Sequence, residues 1–144
     1  KKCSFYLIIS KIFSNFVRSK KNRLHMDENL IQHVWEKGRV IPHYNPDLFR
    51  QDAAGAWMIR EQYGNTDSMF GWEIEHIYPH ALGGTDALLN LRPMQWMNIR
   101  SKGDNYPNYL AKIISRDNQN MEEDTPCVVS LTLQKELEDY YGNH

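Results

Sequence analysis

The chain has 144 residues, a formal net charge of −1, and a composition that is 41% hydrophobic and 24% charged. This length and balance are typical of one globular domain with a modest core, and they exclude wholesale disorder. The near-zero net charge excludes a global basic field, so any nucleic-acid binding must come from local Lys and Arg placement. Two cysteines without a CxxC pair exclude a four-thiolate zinc site and favour a reducing, cytoplasmic (intracellular) setting.

The first 25 residues differ in character from the rest of the chain. They begin with two lysines, continue as an apolar run that Lys11 interrupts, and end in the basic stretch "RSKKNRLH". The apolar run is too short and too polar to span a bilayer, so we expect no membrane partner. We expect 1–25 to be an N-terminal extension, with Met26 as the natural start. An amphipathic helix docked on the domain is the alternative.

Short elements follow in quick succession through the middle of the chain. The spacing of apolar residues predicts a helix from about Asp27 to Trp35. Residues 38–49 contain a glycine and two prolines and are typical of an extended loop, and residues 54–65 favour a strand that ends in a turn. "GWEIEHIYP" alternates large apolar and charged side chains, which predicts a strand that Pro79 stops.

A glycine loop and three predicted helices complete the chain. "ALGGTDALLN" is typical of a loop whose double glycine permits unusual backbone angles. We expect helices from about Pro93 to Gly103, within residues 105–118, and over "SLTLQKELEDYYG" near the C-terminus. These elements give a domain over 26–118 with its core at 50–104, and a C-terminal helical tail over 119–144.

Four sequence pieces occur in an order that suggests a site. They are "EHIYP", "GGTD", "NLRPM" and "N…SK", and they carry Glu75, His76, Asn90, Asn98 and Lys102. In this order and spacing they resemble the HNH endonuclease family, the ββα-metal nucleases, over about a third of the chain. The resemblance implies an α+β fold with a ββα-metal core, in which an antiparallel hairpin packs on a helix and further helices flank it.

The same resemblance implies a metal-dependent endonuclease that hydrolyses DNA phosphodiester bonds. His76 is then the general base, because an imidazole titrates near neutral pH. Glu75 and Asn98 hold one divalent metal ion, Mg²⁺ or Mn²⁺, since hard oxygen ligands suit these ions. Asn90 bridges the backbone of the glycine loop and keeps His76 in place. The expected products carry 5′-phosphate and 3′-hydroxyl ends.

Several basic residues near this pattern are candidate substrate-binding groups. Contacts with DNA phosphates are expected from Arg50, His80, Arg100 and Lys102. A solvated surface position is an equal alternative for the arginines and the lysine. His80 follows His76 by four residues, but the segment between them is extended and contains Pro79, so we do not expect these histidines to clamp one metal ion.

Two departures from the family pattern bear on activity. No structural zinc is expected, and an apolar cluster is predicted to replace it, formed by Trp57, Ile59, Met94 and Trp96 or their neighbours. The helix ligand of the metal should fall near Ile99, whereas Asn98 lies about 100° around the helix from that position. The alternative function is therefore an HNH-fold nucleic-acid-binding module with impaired catalysis. A protein-interaction module is a third possibility, and the oligomeric state is not predicted.

Overall fold

A computed structural model describes residues 28–142, which belong to two compact units divided between His33 and Val34. Of the first unit, residues 28–33 are described and are helical. Helical residues continue to 35, and we name this helix α1; it confirms the first predicted helix. The expectations for 1–25 and for Met26 lie outside the described residues. Within 28–142, no helix is long and apolar enough to cross a membrane.

The second unit contains three antiparallel hairpins and two further helices. In chain order its elements are β1 (Phe49–Gln51), β2 (Trp57–Ile59), β3 (Trp72–His76), β4 (Leu91–Gln95), α2 (Trp96–Lys102), β5 (Asn108–Arg116), β6 (Gln119–Val128) and α3 (Leu131–Gly142). The strands pair in sequence as β1–β2, β3–β4 and β5–β6. The predicted α+β class with antiparallel hairpins is confirmed at this level.

The hairpin β3–β4 runs directly into α2, because β4 ends where the helix begins. The Gln95 side chain caps the helix, and its Oε1 accepts hydrogen bonds from the backbone N–H groups of Met97 at 2.7 Å and Asn98 at 3.1 Å. The prediction that this helix begins near Pro93 is wrong, since Pro93 lies within β4 and pairs with Ile74. Both strands of a two-stranded sheet are edge strands, where proline is tolerated.

The hairpin β5–β6 replaces the helix that was expected over residues 105–118. Tyr109, Ala111 and Ile113 are buried at alternate positions of β5, which is the period of a strand. Residues 119–128 pair with β5 across a turn, so the expected helical tail is correct for α3 and wrong for β6. The expected limit at 118 falls within this turn.

Large apolar side chains form the core. One buried cluster contains Ile77, Met94, Tyr109, Val129 and Leu137, and α3 covers it through Leu137. The apolar positions expected to replace a zinc site include two buried residues, Trp57 and Met94. Trp57 packs edge-on against Tyr44 with ring centroids 4.8 Å apart, whereas Met94 belongs to the buried cluster.

Candidate functional site

The chain segment after β3 turns back on itself through the double glycine. Gly83 has φ of 107°, a left-handed value that glycine adopts without steric cost. Gly84 lies so close to the preceding backbone that an added Cβ would stand 1.8 Å from the carbonyl oxygen of Tyr78. The pair of glycines is therefore needed for two different reasons, and together they return residues 85–90 to the end of β3.

Asn90 joins the two sides of this loop from a fully buried position. Its Oδ1 accepts a hydrogen bond from the backbone N–H of Tyr78 at 2.7 Å. Its Nδ2 donates to the carbonyl oxygens of Tyr78 and Thr85, each at 2.9 Å. These bridging contacts are of the kind that the sequence predicts for Asn90, while its part in catalysis stays a prediction.

Three side chains of types that can bind metal ions converge at the surface of the loop. Nε2 of His76 lies 2.7 Å from Oδ1 of Asp86 and 3.0 Å from Nε2 of His80. The third distance, from Nε2 of His80 to the same Asp86 oxygen, is 3.2 Å. The side chains are 30%, 61% and 81% exposed for His76, His80 and Asp86. We call this group the His–His–Asp centre, and it is open to solvent.

The spacing and the charges of this centre suit a single cation. Hydrogen bonds from His76 and His80 hold the pKa of the Asp86 carboxyl below its usual range, so it is an anion at neutral pH. Neighbouring ligands around an octahedral ion with bonds of about 2.1 Å stand about 3.0 Å apart, close to the three distances observed. Two imidazoles and one carboxylate are ligands that favour first-row transition metals over Mg²⁺.

Glu75, which was expected to bind the metal, is instead buried in an interior ion-pair group. Arg92 Nε donates to its Oε2 at 2.6 Å, and Lys102 Nζ lies 3.1 Å from its Oε1. Burial acts to lower the pKa of Arg92, but the charges and hydrogen bonds of Glu75 and Tyr109 together raise that pKa overall. The Glu75 carboxylate is therefore already paired with two cations. Its side chain also points away from that of His76, because successive residues of a strand face opposite sides.

Asn98, the second expected metal ligand, is fully buried and uses its whole side-chain amide for structure. Its Nδ2 donates to Asp52 Oδ2 at 3.0 Å and to the carbonyl oxygen of Ile113 at 2.8 Å. Its Oδ1 accepts from the backbone N–H groups of Lys112 and Ile113, each at 2.7 Å. Two donors and two lone pairs are the full capacity of an amide, so no ligand position is left for a metal ion.

The Asp52 carboxylate lies at the centre of this second interior network. Its Oδ1 accepts from the backbone of Ala54 and Ala56, and its Oδ2 accepts from the backbone of Gln95. Burial raises the pKa of Asp52, and these hydrogen bonds and that from Asn98 only partly offset the rise. The network ties the β1–β2 turn to the start of α2, and it explains why Asn98 faces inward.

Of the four expected phosphate contacts, Lys102 is buried, Arg50 is half-buried, and His80 and Arg100 are exposed. Arg50 donates to the carbonyl oxygens of Pro46, Glu36 and Gly38, each at 3.0 Å. Lys102 is 1% exposed and donates to the carbonyl oxygen of Ile77 at 3.1 Å. Both side chains therefore hold backbone carbonyl groups, and a role for them in phosphate binding stays a prediction.

The other two expected phosphate contacts lie at the surface. His80 belongs to the His–His–Asp centre, and Arg100 is exposed. The guanidinium carbon of Arg100 lies 4.6 Å from the Trp96 ring centroid, a cation–π contact that leaves its N–H groups at the surface. These two are the exposed residues of the four.

Asp86 is the site residue that sequence reasoning did not identify, although "GGTD" belongs to the pattern. His76 and His80 were not expected to clamp one metal ion, yet their Nε2 atoms lie 3.0 Å apart. The useful signal was H-x3-H-x5-D around a double glycine, since a loop that reverses direction brings its two ends together.

Comparisons with protein-family models, curated proteins and solved structures gave no match.

Proposed function

We propose that this protein is a metal-dependent endonuclease that hydrolyses DNA phosphodiester bonds at the His–His–Asp centre. The observation that carries the proposal is the convergence of three ligand atoms, 2.7 to 3.2 Å from one another, on an exposed loop. The order of elements supports the HNH-like interpretation: His76 ends one strand of a hairpin, Asn90 bridges the following loop, and a helix comes directly after the second strand.

The burial and the contacts of each candidate ligand indicate which residues would hold the divalent ion. Glu75 and Asn98 do not fit, because each is buried and its polar atoms have interior partners. His76, His80 and Asp86 fit by atom type, by distance and by exposure. A bound divalent ion would supply Lewis-acid neutralisation of the charge on a phosphate.

In this proposal His76 acts as a ligand and no longer as the general base. Two histidines that act as acid and base on a phosphodiester need room for the phosphate between their rings. The Nε2 atoms of His76 and His80 are 3.0 Å apart, which leaves no such room and suits convergence on one ion. Asn90 and Lys102 then act as positioning residues, since they hold the backbone of the two residues that follow His76, Tyr78 and Ile77 respectively.

Plasmid nicking tests the proposal, with the full chain assayed in Mn²⁺, in Mg²⁺ and in EDTA. We expect cleavage in Mn²⁺ and none in EDTA. His76→Ala, His80→Ala and Asp86→Asn should each lower the rate by more than about 100-fold, because each removes a ligand. The matched controls are His33→Ala and Asp67→Asn, which alter an exposed histidine and an exposed aspartate elsewhere. Cleavage by Asp86→Asn and His80→Ala at the rate of these controls would refute the proposed centre.

A nucleic-acid-binding module without catalysis is the second candidate function. The observation that favours it is the commitment of Glu75 and Asn98, the residues expected to bind the catalytic metal, to interior contacts. This candidate predicts DNA retention in a gel-shift assay together with an unchanged plasmid in every metal ion. Metal-dependent nicking that His76→Ala abolishes would exclude it.

A further inference from the structure

A tyrosine-lined groove adjoins the His–His–Asp centre. It consists of two cavities that share Tyr78 and Tyr141 as walls. The first cavity measures about 380 Å³, and its other walls are Tyr106 and α3. The second measures about 470 Å³, and its other walls are Tyr140 and the glycine loop. Each volume lies in the range of small-molecule sites. We call the two cavities together the tyrosine groove.

The groove and the centre belong to one structural unit. Tyr78 lies midway in sequence between His76 and His80. Tyr141 Oη accepts a hydrogen bond from the backbone N–H of Thr85 at 3.0 Å and lies 3.0 Å from its Oγ1. Because Thr85 directly precedes Asp86, a ligand in the groove would lie against the loop that carries the centre.

The groove walls suit a flat, uncharged ring. The Tyr78 ring lies 5.1 Å from that of Tyr106 and 5.3 Å from that of Tyr141, measured between centroids. All three pack on the buried cluster and are only partly buried themselves. Among the described residues that line the two cavities, Glu138 is charged and no lysine or arginine occurs. A phosphate is therefore disfavoured inside the groove, whereas an aromatic base is favoured.

We propose that the tyrosine groove binds an unpaired nucleobase of the strand whose phosphate lies at the His–His–Asp centre. The inference rests on the proposed nuclease function and names its substrate class. The bases of a continuous duplex are stacked on each other and cannot enter a side cavity, whereas unpaired bases can stack on tyrosine rings. The substrate is then single-stranded DNA, or a duplex interrupted by an unpaired base.

A binding experiment without metal tests the groove separately from cleavage. The full chain in EDTA is titrated into a single-stranded oligonucleotide containing 2-aminopurine, whose fluorescence falls when it stacks. We expect quenching by the unaltered protein, and an affinity lower by about 5- to 150-fold for Tyr78→Leu, the range for loss of one base-stacking ring. Tyr78→Phe keeps the ring and should keep the affinity. Tyr44→Leu is the matched control, since Tyr44 is a partly exposed tyrosine that packs on Trp57 and does not line the groove.

Circular dichroism checks that each variant is folded, and Tyr106→Leu serves in place of Tyr78→Leu if the latter is not. Absence of quenching, equal affinity of Tyr78→Leu and Tyr44→Leu, or equal affinity for the matching duplex would each overturn the groove proposal. Stacking without cleavage in any metal would count against the nuclease alone. Cleavage without quenching would count against the groove alone.

Discussion

Replacing Glu75 by glutamine is expected to destabilise the fold more than any other single-atom change near the candidate site. The carboxylate is 4% exposed and lies between Arg92, 11% exposed, and Lys102, 1% exposed. The unaltered protein therefore buries two positive charges and one negative charge in this group, and the variant buries two positive charges alone. Glutamine has nearly the same shape as glutamate, so the expected loss comes from charge and not from a cavity.

The size of the loss follows from the cost of leaving a buried charge without its partner, about 3–5 kcal/mol. Domains have a free energy of unfolding of about 5–15 kcal/mol, so the variant should lose about a fifth or more of its stability. A urea titration followed by circular dichroism measures it. With a denaturant slope of about 1–3 kcal/mol per molar, the midpoint should fall by more than about 1 M.

Glu73→Gln is the matched control, because Glu73 lies on the same strand but is only half-buried. Its midpoint should change by much less, as most surface substitutions do. A second experiment combines Glu75→Gln with Lys102→Met. The added substitution removes one of the two unpaired buried cations and should recover part of the lost free energy of unfolding. The reasoning is refuted if Glu75→Gln is as stable as the control and yet loses affinity for Mn²⁺, since Glu75 would then be a metal ligand.

Three further predictions concern the loop and the core. Asn90→Ala removes three part-buried hydrogen bonds to the backbone of Tyr78 and Thr85, so it should lower the free energy of unfolding by about 2–4 kcal/mol and Mn²⁺ affinity by about 10–100-fold in a calorimetric titration. Gly84→Ala places a Cβ 1.8 Å from the carbonyl oxygen of Tyr78 and should lower the melting temperature, whereas Gly142→Ala meets no atom within 4 Å and should not. Burial raises the pKa of Tyr109 to about 12, so the unfolded chain loses that proton first and the free energy of unfolding falls as the pH rises from about 10 to about 12. Urea titrations in this range should show a smaller fall for Tyr109→Phe.

Local patterns in the sequence were sufficient for β3 and for the glycine loop. The alternation around Glu75 and His76 predicts a strand with those two side chains on opposite faces, and the structure has that strand. The pattern does not show what lies behind each face. Arg92 stands directly opposite Glu75 in the β3–β4 register, so the partner of the carboxylate depends on a pairing between residues 17 positions apart in the chain.

The error at β5 has a related cause. Tyr109, Ala111 and Ile113 fit a strand, but the same short apolar segment also fits one face of a helix, and periodicity alone does not separate the two. The pairing with β6 decides the outcome, because a second strand follows after a two-residue turn. Pairing of this kind is invisible when each segment is considered by itself.

The same difficulty explains the two interior residues that were taken for metal ligands. A carboxylate or an amide near a histidine has the right atoms for a metal site, but these atoms serve equally well to satisfy a buried backbone. Asn98 binds the backbone of β5 with every polar atom that it has, and that contact requires knowledge of β5 as a strand. The expectation for Asn98 therefore depended on a segment that was predicted to be a helix and is a strand.

Around His76, the residues that hold the backbone in place are different from the side chains that could bind a metal ion. From the interior, Lys102 donates to the carbonyl oxygen of Ile77, and Asn90 holds Tyr78 on both its N–H and its carbonyl. The side chains of His76 and His80 face outward from the same segment. Their hydrogen-bond contacts are with Asp86 and with each other, and not with the buried backbone. A loop whose backbone is fixed by buried polar groups can present an exposed ligand set without relying on a bound ion for its shape. Ile77 and Tyr78, which lie between the two histidines in sequence, therefore fix the backbone that carries both imidazoles. The third candidate ligand, Asp86, comes from the far end of the loop.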